Sequence, residues 1–440
     1  MLIGFTVANY RSFRDPATLS MVAANLRAKD EQLDWNNKFE VGSQPALLTS
    51  AAIYGRNASG KSNAVQALLF MRAFVLDSFR STEEVGSIDV EPFRLNTVSA
   101  EMPSSFEIVF VNGSIRYRYG FKATRQRVMA EWLYSAPKHA ESMLFRREED
   151  TIVVGRTFKE GRERADLVRP NALFLTVLAQ LNAATAQKVL SWFRRLTITS
   201  GVADMGMRAY TQSLLLQGKN VAPITELVMA MDTGIEGLRV ERGKVTKLPK
   251  VPPILPDEVR AAIATIMQHP DNEHISVHAM HTVCDEVGNA VAHTEFDLDE
   301  QESEGTQKLF ALAGPLANAL LEGRVLVIDE FDARLHPLLS RRIVELFNDA
   351  VTNPQHAQLV IVTHDTGLLD NRLLRRDQIW FVEKDGKGAS TLYSLAEFKG
   401  VRNDKDYERG YLEGRYGAIP YVSSIAEALT AYEANDVAPE

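Results

Sequence analysis

The pattern of apolar and polar positions opens on runs of strand length. Leu2 to Val7 is one such run, and Ala51 to Tyr54 is another that ends at a glycine-rich loop. Ala64 to Phe79 then carries apolar residues at helical spacing. From Phe106 to Tyr134 the pattern alternates. Ile115, Tyr117, Tyr119 and Phe121 share one face, while Arg116, Arg118 and Lys122 share the other, as in a half-buried antiparallel strand. Pro170-Asn171 opens a helical stretch reaching roughly Leu196, apolar enough to pack through Leu178, Val189 and Phe193. The segment LPKVPPILP, Leu248 to Pro256, carries four prolines, fits neither helix nor central strand, and reads as a hinge or linker within an inserted region. After about Phe296 the pattern becomes parallel α/β. Val325 to Ile328, Leu359 to Thr363 and Ile379 to Val382 are short apolar runs separated by helical segments, the mark of strands buried on both faces. Neither a tandem repeat nor sustained heptads are present.

The chain has 440 residues, enough for one large domain or two moderate ones. Its formal net charge of −8 gives no general support for nucleic-acid binding, although a local basic patch stays open. Cys284 is the only cysteine, so no intrachain disulfide can form and a reducing, cytoplasmic setting is expected. The N-terminus lacks a signal-peptide pattern, and no apolar run is long enough for a membrane span.

Four motifs carry chemistry. GRNASGKS, Gly55 to Ser62, fits the phosphate-binding loop pattern and sits between an apolar strand and a helix. Gly55 and Gly60 let the backbone wrap phosphate, and the amides of Arg56, Asn57, Ala58 and Ser59 together with the helix N-terminus present partial positive charge. Lys61 adds a full charge near the β- and γ-phosphates, and the Ser62 hydroxyl can ligate Mg²⁺. RVLVIDE, Arg324 to Glu330, runs apolar residues into two carboxylates. Asp329 suits a Mg²⁺ contact, and Glu330 suits orienting or deprotonating an attacking water. ESEGTQKL, Glu302 to Leu309, precedes a helix that runs toward Leu321 and stops at Gly323; Ser303 and Gly305 at its start form a second anion-binding corner. Pro315 inside that helix predicts a kink or a break. LVIVTHD places His364 at the end of an apolar strand, within reach of a γ-phosphate. Between these lies FDARLHP, where Asp332 is the candidate for a contact across a dimer.

In this order the motifs resemble the SMC/RecF-like branch of ABC-type ATPases. The start FTVANYRSF, Asn63 after the P-loop serine, and the late signature carry the resemblance. More narrowly, NYRSFRDPATLSM, YGRNASGKSN, EPFRL, ESEGTQKL, VLVIDEFDARLHP, VTHD and YLEGRYGAIPY look like the abortive-infection and restriction-linked ATPases called AbiL and RloA. The resemblance implies ATP and Mg²⁺ as ligands and an ATP-hydrolysing enzyme. It also implies a head-to-tail homodimer or higher homo-oligomer serving a separate effector, nuclease or toxin, in defence against phage. Arg11 would approach the nucleotide, as in the wider family. Two departures stand out: Gln126 is the sole weak candidate for a Q-loop glutamine, and the signature is not of the LSGGQ form. Only about 75 residues follow His364, too few for the TOPRIM nuclease domain of related proteins, so nuclease chemistry is expected on another chain.

The expected fold is therefore α/β: a P-loop ABC-type ATPase head with an antiparallel β subdomain and a helical insertion. Residues 1–168 would form the N-terminal ATPase lobe and 169–294 a mainly helical insertion or lid. Residues 295–400 would form the C-terminal lobe with signature, Asp-Glu strand and His364, and 401–440 a tail available to a partner. Five of nine histidines fall between His269 and His293, yet no trusted ligand spacing joins them, and a solvated strand is favoured over a metal site. The basic face of Arg116, Arg118, Lys122, Arg125 and Arg127 admits nucleic-acid phosphates, an acidic partner or plain solvent. The leading reading is a regulatory ATPase of a defence system. The alternative is a RecF-like DNA-repair ATPase. A transporter ATPase is weakest, because about 240 residues separate Lys61 from Ser303.

Overall fold

The computed structural model describes residues 1–26, 31–42, 44–79, 87–162, 164–231, 233–244, 273–401 and 406–419. The proline-rich segment 248–256 and His269 lie outside them.

Two sheets organise the molecule. A six-stranded sheet runs in the order Thr197–Ser200, Val325–Asp329, Gln358–Val362, Ser50–Tyr54, Ile379–Lys384, Ser390–Ser394. The first five strands are parallel and the last is antiparallel. The three central strands are buried at every position, as their unbroken apolar sequences require. Side chains still alternate between two cores. Ala51, Ile53, Val325, Val327, Val360 and Val362 face the P-loop helix Lys61–Asp77. Ala52, Tyr54, Leu326, Ile328, Leu359 and Ile361 face the helices Glu304–Glu322 and Pro337–Asn348. All five parallel strands end at one edge, so the segments after Ser200, Tyr54, Asp329 and Val362 meet there.

The second sheet is antiparallel and has seven strands: Thr151–Val154, Ser142–Glu148, Val128–Ala136, Ile115–Ala123, Ser104–Asn112, Leu2–Ala8 and Ala17–Ser20. Tyr117, Tyr119 and Phe121 are buried on its inner face, as the alternation requires. Gln358 ties the two sheets, its side-chain amide donating to Leu2 O at 3.0 Å and to Leu48 O at 3.1 Å.

Among the described residues of 169–294, strands stand beside the expected helices. The stretch after Pro170 is two helices, Phe174–Gln180 and Ala184–Arg195, broken at Asn182, whose φ of 61° is left-handed. Thr197–Ser200 then enters the six-stranded sheet as its edge. After the helices Asp204–Leu216 and Val221–Met229, the strands Gly237–Lys244, Glu273–Cys284 and Ala290–Asp297 form a three-stranded antiparallel sheet. The described part of the tail packs in-chain: Tyr407, Tyr411 and Tyr416 are buried, with Tyr411 stacked on Phe381 at 5.5 Å.

Helix Glu304–Glu322 runs through Pro315 without a break. Proline supplies no N–H to the carbonyl four residues back, Ala311. The Thr211 hydroxyl lies in its place. Its one proton is shared between Ala311 O at 3.0 Å and Met207 O of its own helix at 3.1 Å, and its oxygen accepts from Gly314 N–H at 3.1 Å.

Candidate nucleotide site

The loop Gly55–Gly60 leaves the fully buried strand Ser50–Tyr54 and turns into a helix of 17 residues. Gly60 has φ 106°, and a Cβ there would collide with the hydroxyls of Ser390 and Ser12, so the turn requires glycine. The free amides and the positive end of the helix point at the loop's concavity. That concavity is a cavity of about 190 Å³ lined by Ala58 to Asn63 and Lys384. Lys61 is buried, with Nζ donating to the carbonyls of Gly55 at 2.7 Å and Arg56 at 3.1 Å. Burial lowers its pKa; Asp329, Asp332 and Glu330 oppose that. The buried Ser59 Oγ has no hydrogen-bond partner. Arg56 donates to Lys384 O at 3.1 Å, and Asn57 and Ala58 are exposed at the loop's tip.

The carboxylates arrive at the end of strand Val325–Asp329, separated from the P-loop strand by Gln358–Val362. Ser62 Oγ donates to Asp329 Oδ1 at 3.2 Å. Asp329 is buried, which raises its pKa, with the Ser62 hydrogen bond acting against that. Glu330 follows with φ 49° and is exposed to solvent. His364, one strand over, is exposed too; desolvation and then Lys61 lower its pKa, against Asp332, Glu330 and Asp329. Lys61, Asp329, Glu330 and His364 therefore share one field at the carboxyl edge of the sheet. A cation ringed by carboxylates, beside a cradle of amides, is an arrangement suited to a polyphosphate and its divalent ion. The hydroxyl–carboxylate pair Ser62–Asp329 is a hard-oxygen set of the kind Mg²⁺ prefers.

A family model described as AAA domain, putative AbiEii toxin, Type IV TA system, matches residues 50–370. The chain belongs to that family. No curated protein matches it. Solved structures similar to it include a SmcHead bound to the C-winged helix domain of ScpA, at 13% identity and TM-score 0.41, covering 89% of this chain and 97% of that one. The SMC head domain from Thermotoga maritima is similar at 14% identity and TM-score 0.39, covering 89% and 98%. So is the Smc head domain with an extended coiled coil bound to the C-terminal domain of ScpA derived from Pyrococcus furiosus, at 12% identity and TM-score 0.37, covering 89% and 96%.

Within this family member the other sequence candidates sit as follows. Ser303 caps helix Glu304–Glu322, its Oγ accepting from Thr306 N–H at 3.1 Å, and Gly305 follows in the first turn. Among the described residues, no hydrogen bond or ion pair joins Ser303 or Gly305 to residues 55–63. Arg11 is not in the phosphate cluster's bonding: its Nε pairs with Glu91 at 3.1 Å. Its neighbour Ser12 is the residue that touches the P-loop helix, accepting from Asn63 Nδ2 at 2.7 Å. Asp332 is engaged within the chain, Oδ1 accepting from Thr363 Oγ1 at 2.7 Å and His364 N–H at 3.1 Å, which fixes the histidine's backbone. Gln126 lies exposed in the turn between two antiparallel strands. The histidine-rich stretch forms no metal cluster among the described residues. There His281 binds Glu302 at 2.6 Å and His293 meets Glu236 at 3.3 Å.

Sequence reading missed Ser12, Lys384 and Ser390. Ser390 Oγ donates to Ser59 O at 2.5 Å and its N–H to Ser12 O at 2.7 Å, buttressing the loop from behind. No motif flags them, because each acts through a contact across the sheet. No described helix is long and apolar enough to cross a membrane.

Proposed function

We propose that the chain is an ATP-hydrolysing ABC-type ATPase that works in the cytoplasm as a head-to-tail dimer and regulates a separate effector, nuclease or toxin, in defence against phage. The observation that carries the ATPase reading is the Ser62–Asp329 hydrogen bond beside buried Lys61, which joins P-loop and Asp-Glu strand into one site. The family's description as a putative AbiEii toxin supports the defence setting, and the AbiL and RloA resemblance points the same way.

In this reading the loop amides and Lys61 hold the triphosphate, and Ser62 and Asp329 hold Mg²⁺. An Mg²⁺ ion held by Ser62 and Asp329 would supply positive charge to offset that of the triphosphate. Lys61 must leave the carbonyls of Gly55 and Arg56 to reach phosphate, so it exchanges two neutral acceptors for an anionic one. Glu330 orients the attacking water and accepts its proton. His364, whose pKa burial and Lys61 lower, donates one hydrogen bond to the terminal phosphate. Ser303 and Gly305 face the ATP of a second copy.

At the basic face weighed for the DNA-repair alternative, Arg116, Arg118 and Arg127 are paired with carboxylates, while Lys122 is exposed and Arg125 donates to Val90 O. Arg118 pairs with Glu141 at 2.8 Å and Glu107 at 3.2 Å, and Arg127 pairs with Asp150 at 2.6 Å. Those charges are already matched.

The test is Glu330→Gln. It keeps the shape and removes the base, so ATP should stay bound while hydrolysis falls about a hundredfold or more. The variant should accumulate as an ATP-dependent dimer in size-exclusion chromatography. Near-normal turnover would reject Glu330 as the water-activating group. Used as bait, the trapped variant should retain a protein partner; stoichiometric DNA instead would favour the repair reading.

A further inference from the structure

Lys308 is a fully buried lysine that the catalytic reading does not use. It lies in the first turns of helix Glu304–Glu322, just past Ser303 and Gly305. A buried ammonium is costly unless it is paired with a carboxylate and hydrogen-bonded. Lys308 Nζ donates to the carbonyl of Gly201 and to Asp204 Oδ1, the latter at 2.8 Å. Gly201 is the first residue after the edge strand Thr197–Ser200, and its own N–H donates to Asp329 O at 2.6 Å. A Cβ on Gly201 would fall on the carbonyl of Glu330, so the two backbones are in close apposition there. From the other side, Arg334 binds Asp204 Oδ2 at 3.1 Å and donates to Val202 O at 3.3 Å. Loop 201–204 is thus a wedge with three fixed sides: the signature helix, the Asp329-Glu330 peptide and the turn that follows it.

The Glu330 backbone is also unusual. A φ of 49° is disfavoured for a residue with a Cβ and persists only where neighbours over-determine it. Gly201 is one of those neighbours, and Lys308 holds Gly201.

We infer that Lys308 is a positioning residue. Through Gly201 it sets the backbone of Glu330, and so couples the seating of the signature helix to the hydrolytic competence of the same chain's own site. This rests on the reading of Glu330 as the water-orienting group. Its consequence is directional: when a second copy's nucleotide draws on Ser303 and Gly305, the helix that moves is the one whose lysine holds the loop under Glu330. Each chain would then register at its own Glu330 that its signature is engaged.

The test is a double-mutant cycle on ATP turnover with Lys308→Met and Glu330→Gln, alongside Gly201→Ala. Lys308→Met should bind ATP at normal stoichiometry, with KM within about threefold of the parent and kcat lowered about tenfold or more. Added to Glu330→Gln, it should lower the residual turnover less than about twofold, because both changes remove one function. Gly201→Ala leaves Lys308 in place and should give the same split, normal ATP binding and low kcat. A lysine of merely structural value would lower binding stoichiometry and turnover together, and that result would overturn the inference. So would the same fold-loss from Lys308→Met in both backgrounds, or parental turnover by Gly201→Ala, which stands even if Lys308→Met does not fold. If Glu330→Gln alone turned over normally, the catalytic reading would fall and carry this inference with it, a result distinct from failure of Lys308 alone.

Discussion

The Ser62 hydroxyl donates to Asp329 Oδ1 at 3.2 Å across 267 residues of sequence, and Asp329 Oδ1 also accepts from Glu330 N–H at 3.1 Å. One carboxylate oxygen therefore links the P-loop helix to the candidate base. Burial, with help from the Glu330 charge, raises the Asp329 pKa. A raised carboxyl keeps its proton in a range where an ordinary aspartate is ionised. As pH falls from neutral into that range, Mg²⁺ must displace a proton to bind. Stimulation of ATP binding by Mg²⁺ should therefore weaken on mild acidification, measured by fluorescence of a labelled nucleotide at a series of pH values. Asp329→Asn should bind ATP with little Mg²⁺ stimulation at any pH. An Asp329→Asn variant that keeps the parent's pH-dependent stimulation would assign the metal contact elsewhere.

Lys61→Ala should lower ATP affinity by about tenfold or more, about 1.4 kcal/mol. The lysine is buried and already bonded to two loop carbonyls, so alanine removes both a charge and a brace of the loop. Isothermal titration calorimetry reads the change directly, and a smaller loss would put the phosphate site in the wrong place.

How far the sequence reveals this arrangement depends on the range of each interaction. The P-loop, the Asp-Glu strand and the His364 strand are local: an apolar run ending in a fixed set of polar residues, legible without neighbours. The edge strand Thr197–Ser200 is not. It has four residues, half-buried throughout, and becomes a strand only by pairing with Val325–Asp329 far along the chain. The same holds at Pro315, where the sequence predicts disruption and the Thr211 hydroxyl on another helix offers Ala311 O a donor in place of the missing N–H. Ser12 and Ser390 buttress the P-loop from opposite ends of the chain, which no spacing rule records.

The Thr211 bridge gives a stability prediction. Thr211→Val keeps the shape and deletes the hydroxyl that serves both Ala311 O and Gly314 N–H in a buried helix contact. Leaving buried backbone groups unpaired costs about 1–3 kcal/mol. Denaturant unfolding should show that loss with an unchanged slope. Restoring the helix bond with Pro315→Ala in the Thr211→Val background should recover part of it, since the new N–H serves Ala311 O. If Pro315→Ala recovered nothing, the hydroxyl would not be standing in for the proline's missing donor.

Ser303 is exposed and its hydroxyl caps its own helix, and no hydrogen bond or ion pair among the described residues joins it to the P-loop of the same chain. If a signature serves the ATP of a partner, the chain holds half of each of two sites, and a two-fold axis completes both. Ser303→Arg should then block approach of the partner while leaving Lys61 and its cradle untouched. ATP binding by the isolated chain should stay within about threefold of the parent, and turnover should fall by about tenfold or more. Lys61→Ala has the complementary defect. In an equimolar mixture, a heterodimer pairs the intact P-loop of the Ser303→Arg chain with the intact signature of the Lys61→Ala chain. One competent site is restored, so the mixture should hydrolyse ATP faster than either variant alone. Crosslinking or native mass spectrometry establishes that the heterodimer forms. Parental turnover by Ser303→Arg at a concentration where it is monomeric would overturn the shared site, because a chain that hydrolyses alone needs no signature from another.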